Sequence, residues 1–274
     1  MNPRTIILWL LFGIVALSTP PGILAQTLDT GTSAASVGDA LRNAKQQRIV
    51  VFDFLNSDES LSQLGRSFAD EFSRLLAESN PKFQVVDRRI ILQLLEEYRL
   101  APAIVHNSEV ASWLATRLSS DSFVVGRVDS KGVSLQVALK AIRVKDGKKI
   151  ADFAETLPLS DFAKSLAATW LSLDHSEEYP PKGDKSLLPK CISCPNPFFP
   201  AEALHSDPNG SLKLSVRIGE DGLPSEINVI TNPPPGFVLT AIEKVQKWTF
   251  KPLIGADGKP KGTWTPIEIT WRSY

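Results

Sequence analysis

Two cysteines occur in the 274 residues, Cys191 and Cys194, and they stand as Cys-x-x-Cys. That spacing suits a disulfide, a thiol–disulfide exchange centre or one half of a zinc site. Exchange needs the motif at the start of a helix, where the dipole lowers the thiol pKa. Here Pro189, Pro195 and Pro197 hold the chain extended instead. Zinc needs four ligands, and only His205 is close in sequence. In an exported chain, the reading that follows is a small-loop disulfide that fixes a lead-in loop. A periplasmic thiol–disulfide protein using Cys191 and Cys194 stands as the alternative.

The other titratable residues do not assemble into a recognisable centre. His106, His175 and His205 fall in loops or linker, none near a Ser or Cys in a nucleophile arrangement. There is no nucleophile elbow, no P-loop and no dinucleotide fingerprint. Glu96-Glu97 and Glu177-Glu178 are adjacent pairs that point to different helix faces and read as solvated surface. Asp53 is the one charge in a buried-looking strand, read as a hydrogen-bonded structural residue, with ligand contact as the other reading. The expectation is a non-enzyme with no catalytic residue, no metal and no cofactor. Thirty Lys and Arg balance thirty Asp and Glu, and no basic block occurs, so nothing favours nucleic acid.

These residues must be placed by elements that periodicity outlines. Residues 1–25 carry Arg4, an apolar run over 5–17 and a Pro20-Pro21 break before Ala25. This reads as a signal peptide cleaved after Ala25, or else as an N-terminal anchor in which residues 5–24 hold the chain to the inner membrane. Residues 26–45 are small and polar, the composition of a flexible tail. Residues 46–174 show a β-α-β-α-α-β-β-β-α order, which implies an α/β domain with a mixed sheet. The apolar run 48–55 reads as a strand buried on both faces. Leu61, Leu64, Phe68, Phe72 and Leu76 form a helical stripe, Asn107 opens a further helix, and Ser130-Lys-Gly132 marks a hairpin. Residues 175–189 form a Pro-bearing linker.

The last 85 residues, 190–274, read as a small α+β domain. Leu212, Leu214, Val216 and Ile218 alternate with Lys213, Ser215 and Arg217, a strand with one buried face. Glu220-Asp221-Gly222 supplies a hairpin turn, and Ile227 and Val229 mark a second strand. Val238, Ala241, Ile242, Val245 and Trp248 recur at helical spacing, and Lys251-Pro252 stops the helix. Trp113, Trp170, Trp248 and Trp271 sit on apolar faces, whereas Trp264 is out of phase with Ile267 and Ile269 and is expected at the surface. A final strand runs over 265–274. Pro266 lacks an N–H and so marks a sheet edge, with Glu268, Thr270 and Arg272 opposite Ile267, Ile269 and Trp271.

Phe199-Pro200-x-x, the alternating strand before Gly222, Trp248-Thr-Phe250-Lys-Pro252, and Gly255-x-Asp-Gly258-Lys-Pro260 with a closing strand resemble the C-terminal domain of TonB energy transducers. Val-x-Asp53-Phe, then Phe83-x-Val-Val-Asp87-Arg88, then Phe123-Val-Val-Gly126-Arg resemble the periplasmic domain shared by the TolB N-terminus, FlgO and CsgG-type proteins. The resemblances imply a non-catalytic cell-envelope protein in the periplasm. Its protein partners would include an outer-membrane receptor that adds a strand along Thr265, Ile267, Glu268, Ile269, Thr270, Trp271 and Arg272. The alternative is an energy-transducing TonB component of outer-membrane transport, which requires residues 1–25 to be retained as an anchor.

Overall fold

The computed structural model describes residues 30–167, 188–198, 210–231, 233 and 236–271. The segments read as signal peptide or anchor (1–25) and as linker (175–189, through residue 187) lie outside these residues. Among the described residues, no helix is long and apolar enough to cross a membrane.

The first region is built on five strands, β1 (Arg48–Val51), β2 (Gln84–Val85), β3 (Ser122–Lys131), β4 (Ser134–Arg143) and β5 (Lys149–Pro158). They lie in the order β2-β1-β3-β4-β5, with β1 parallel to β2 and β3 and with β3, β4 and β5 antiparallel. This is the expected mixed sheet. β1 is buried on both sides: Ile49 and Val51 face one apolar cluster, Val50 and Phe52 the other. Regular pairing stops at Val51 rather than reaching Leu55. Phe52 and Leu55 still donate their N–H groups to the Val124 and Gly126 carbonyls at 3.0 Å, so the chain stays alongside β3. At Gly126 an added Cβ would come within 2.8 Å of the Phe54 ring, so glycine makes room for that side chain.

The helices are α1 (Gly31–Asn43), α2 (Gln63–Ser79), α3 (Arg88–Glu97), α4 (Ser108–Arg117) and α5 (Asp161–Ala167). Ser62 caps α2 by accepting the Gly65 N–H, and Asn107 caps α4 by accepting the Val110 N–H. Helix α1 corrects the reading of a flexible tail over Gly31–Asn43, while residues 26–29 lie outside the described residues. Ser33, Ala34, Val37, Gly38 and Leu41 are buried, and Gly38 lets the backbone approach α2, since a Cβ there would lie 3.2 Å from Ser79 Oγ. A helix that packs through Ser, Ala and Gly has the composition of a loop, and for that reason its apolar stripe does not show in the sequence.

The second region contains β6 (Lys190–Ser193), β7 (Gly210–Ile218), β8 (Pro224–Val229), α6 (Phe237–Val245), β9 (Thr249–Lys251), β10 (Leu253–Ile254), β11 (Pro260–Lys261) and β12 (Thr263–Trp271). Strands β12, β7 and β8 form an antiparallel sheet in that order. Helix α6 buries Phe237, Val238, Ala241, Ile242 and Val245 in the core it shares with this sheet. Two expectations change. The helix ends at Val245, and Thr249–Lys251 becomes a strand paired with β6, tied to the β7–β8 turn by the Phe250 N–H to Gly222 carbonyl bond of 2.9 Å. Trp264 is 1% exposed rather than at the surface. Thr263, Trp264 and Thr265 are all buried, so the start of β12 is covered on both faces and alternation cannot report there.

The two regions share one core. Val50, Phe52, Ile91, Leu95, Val110 and Leu114 belong to the same apolar cluster as Leu214, Ile227, Phe237, Ile242 and Trp271. The contact is also polar: the Gln246 amide donates to the Tyr98 carbonyl, and Arg99 Nη1 donates to the Pro224 carbonyl at 3.1 Å. The fold is therefore an α/β domain with a mixed sheet, against which a small α+β domain packs.

Candidate functional site

The three-stranded sheet has two edges, and they are treated differently. On the β8 side, the Ile227 N–H donates to the Arg99 carbonyl and the Ala101 N–H donates to the Ile227 carbonyl, both at 2.9 Å. The chain between α3 and α4 thus fills that edge. On the β12 side no strand of the described residues is paired.

The direction of the β12 backbone groups follows from the register. In an extended strand the N–H and C=O of one residue point to the same side, and antiparallel pairs alternate between bonded and non-bonded. Ile227 spends its groups on Arg99 and Ala101, so it points away from β7. Its partner Val216 therefore points toward β12, and Thr265 opposite Val216 points back. By alternation Thr265, Ile267, Ile269 and Trp271 bond to β7, while Pro266, Glu268 and Thr270 turn their groups outward. Pro266, which has no N–H to give, sits at an outward position, so the proline and the β8 edge lead to the same parity. The side chains of Pro266, Glu268 and Thr270 are exposed, and those of Thr265, Ile269 and Trp271 are buried, with Ile267 half-buried. Of the seven residues expected to bind a partner, Glu268 and Thr270 offer free-facing backbone groups, Thr265, Ile267, Ile269 and Trp271 anchor the strand, and Arg272 lies outside the described residues.

Cys191 and Cys194 are joined in a disulfide with 6.1 Å between their Cα atoms. Cys191 lies in β6, opposite Phe250, so the lead-in is a paired strand rather than a loop. The chain from Cys194 to Phe198 is not helical, which leaves the pair without the helix N-terminus an exchange centre uses. The Trp248 indole N–H donates to the Pro195 carbonyl at 3.0 Å and holds the end of this segment.

The remaining candidates make contacts within the fold. Asp53 sits between Arg88, which contacts it directly, and Arg66 at 3.6 Å. Burial pushes its pKa up, and the two guanidinium groups oppose that shift. The His106 ring is 3% exposed, contacts the Ala103 carbonyl at 2.8 Å and lies 3.6 Å from Glu59. His175 and His205 lie outside the described residues, as does Trp170. A cleft of about 600 Å³ opens between α4 and the start of α6, lined by Ser112, Trp113, Thr116 and Leu239. Its carboxylate, Glu109, accepts the Gly236 and Leu239 N–H groups at 3.0 and 3.3 Å and so caps α6. Among the described residues, no group of three or more His, Cys, Asp or Glu is placed to hold a metal.

Residues 195–272 match the family described as Gram-negative bacterial TonB protein C-terminal. The matched stretch spans β7 to β12, including the open edge. No curated protein matches the chain. Among solved structures, the chain is similar to the LpoB C-terminal domain from Salmonella enterica, at 14% identity and TM-score 0.38, covering 46% of this chain and 94% of that one. It is similar to the TonB2 protein from Vibrio anguillarum at 27% identity and TM-score 0.25, covering 35% of this chain and 94% of that one. It is also similar to TolB from Acinetobacter baumannii at 10% identity and TM-score 0.25, covering 68% of this chain and 38% of that one.

The covering of β8 by residues 99–101 was not visible in the sequence. Arg99 turns the chain at φ 53°, and no glycine marks the position. Glu109 is visible only as a helix-start acid, and its role for a second helix 127 positions away depends on the tertiary fold.

Proposed function

We propose that this protein is a non-catalytic component of the cell envelope whose TonB-like domain captures an extended segment of a protein partner by strand addition along β12. The observation that carries the reading is the asymmetry of the sheet: β8 is filled from within the chain, and β12 presents the outward backbone groups of Glu268 and Thr270. Main-chain bonds to those groups supply affinity, and the alternating side chains supply choice. The TonB-like match supports an outer-membrane protein as the partner and the periplasm as the compartment. The Cys191–Cys194 disulfide fits an oxidising compartment.

The test is an array of peptides tiling the periplasm-facing segments of the host's outer-membrane proteins, probed with the parent and with Thr270→Pro. Extended segments should bind the parent and not the variant, whose far-ultraviolet dichroism and melting should match the parent's. A folded Thr270→Pro protein that keeps the parent's binding pattern overturns the proposal.

A further inference from the structure

We infer that the open edge selects a short extended segment carrying a basic residue flanked by apolar ones. The inference rests on the strand-addition reading and goes on to define the partner's chemistry. Pro266 cannot donate, so a partner strand is fully bonded only on the C-terminal side of it, across Glu268 and Thr270. Full pairing therefore begins after Pro266, and each further residue adds ~3.3 Å of paired strand. The outer face of the sheet narrows it further. Trp264 and Ser215, at the Pro266 end, are buried, whereas Ser211, Lys213, Glu268 and Thr270 are exposed.

On that exposed end, Glu268 is the acidic side chain nearest the edge. Its cross-strand neighbour is Lys213, yet no ion pair to Glu268 is formed among the described residues, which include thirteen such pairs elsewhere. A partner residue bonded opposite Glu268 stands on the same face, where an opposite charge is favoured and a like charge is penalised. The residues before and after it turn to the other face, beside half-buried Ile267 and buried Ile269, where apolar side chains continue the core. The fitting segment therefore alternates apolar residues with a central Lys or Arg and has no proline where a donor is required.

The experiment is an NMR titration of the full chain with two end-blocked peptides, Thr-Val-Lys-Val-Thr and Thr-Val-Glu-Val-Thr. The Lys peptide should shift the Glu268 and Thr270 amides and bind roughly five-fold tighter than the Glu peptide at low salt, less so at high salt. Glu268→Lys should invert the preference, and Thr270→Pro should remove both interactions. If Thr270→Pro removes binding while the two peptides bind alike, strand addition stands and charge selection is overturned. If binding survives in folded Thr270→Pro, both fall. No amide shift at millimolar peptide, or concentration-dependent dimerisation through β12 that competes with the peptide, overturns the inference as well.

Discussion

The edge strand β5 of the five-stranded sheet turns Glu155 toward the side where its cross-strand neighbour Val137 is buried, and one carboxylate oxygen there is covered without a hydrogen-bond partner. The edge strand β12 of the three-stranded sheet turns Ile269 and Trp271 inward and keeps its charge on Glu268, in solvent. Both strands have a row of outward backbone groups. On β5 the Leu159 N–H reaches back to the Val133 carbonyl, so by alternation Asp152, Ala154 and Thr156 point away from β4. An inward charge makes an added strand costly to align and guards an edge against pairing. By this criterion β5 is protected and β12 is open. Both edges are unpaired among the described residues, and they differ in the inner face beneath them, which carries Glu155 under β5 and only uncharged side chains under β12.

The largest effect should separate neighbours on β12. Ile269→Pro removes a donor that bonds to β7 and a buried side chain, and should destabilise the protein by ~3 kcal/mol or more. Thr270→Pro removes an outward donor and should cost under about 1 kcal/mol. Urea unfolding measures both, and equal losses would show that the assignment of inward and outward residues is wrong. A smaller effect concerns β6. Cys191→Ser with Cys194→Ser opens a ring of very few residues, so the loss should stay below ~2 kcal/mol. Hydrogen exchange should quicken in Lys190–Ser193 and Thr249–Lys251 while β12 is unchanged. Exchange that quickens in β12 too would show that β6 supports the docking edge and is not an independent strand.

Smaller again, Glu155→Val should stabilise the fold by about 1 kcal/mol, by removing a carboxylate oxygen buried without a partner. The same change should cause concentration-dependent association in sedimentation velocity, because the β5 edge loses its guard. A variant that remains monomeric would mean that Glu155 is not what keeps β5 unpaired.

What the sequence made legible follows from what is local. The Asn107 cap, the hairpin closed by Gly132 at φ 61° and the alternation of β7 depend on adjacent residues. Pro266 gave the edge and, with hindsight, the parity as well. Helix α1 was hidden because it packs through small residues, and Trp264 because both faces of its strand are covered. The filled β8 edge depends on Ala101 meeting Ile227 across 126 positions, a pairing that no local pattern encodes. The open edge could be read from the sequence; that it is open while the other is filled could not.

The smallest effect lies with a second covered charge beside the five-stranded sheet, Asp53, which follows the end of β1. Burial raises the Asp53 pKa above its ordinary 3.8, against the pull of Arg88 and Arg66. Between those two values the folded chain holds more protons at this site than the unfolded chain, so the site's contribution to stability falls as pH rises through the window. Surface carboxylates act in the opposite sense. Hydrogen bonds from Arg89 lower Asp87 to about 2, and such groups lose their contribution as pH falls. Asp53 therefore offsets part of the acid destabilisation produced by its neighbours. Asp53→Asn places a permanently neutral side chain beside Arg88 and Arg66 and, because burial disfavours the ionised form of Asp53, should not lower stability at neutral pH. It should also steepen the rise of stability with pH from 3.5 to 5.5 in urea unfolding, because the opposing contribution has gone. A variant with a shallower slope than the parent would show that the guanidinium groups outweigh burial at Asp53. Asp53 would then be held beside the five-stranded sheet as a stabilising ion pair, and the contrast with the uncharged inner face of the β12 sheet would rest on Glu155 alone.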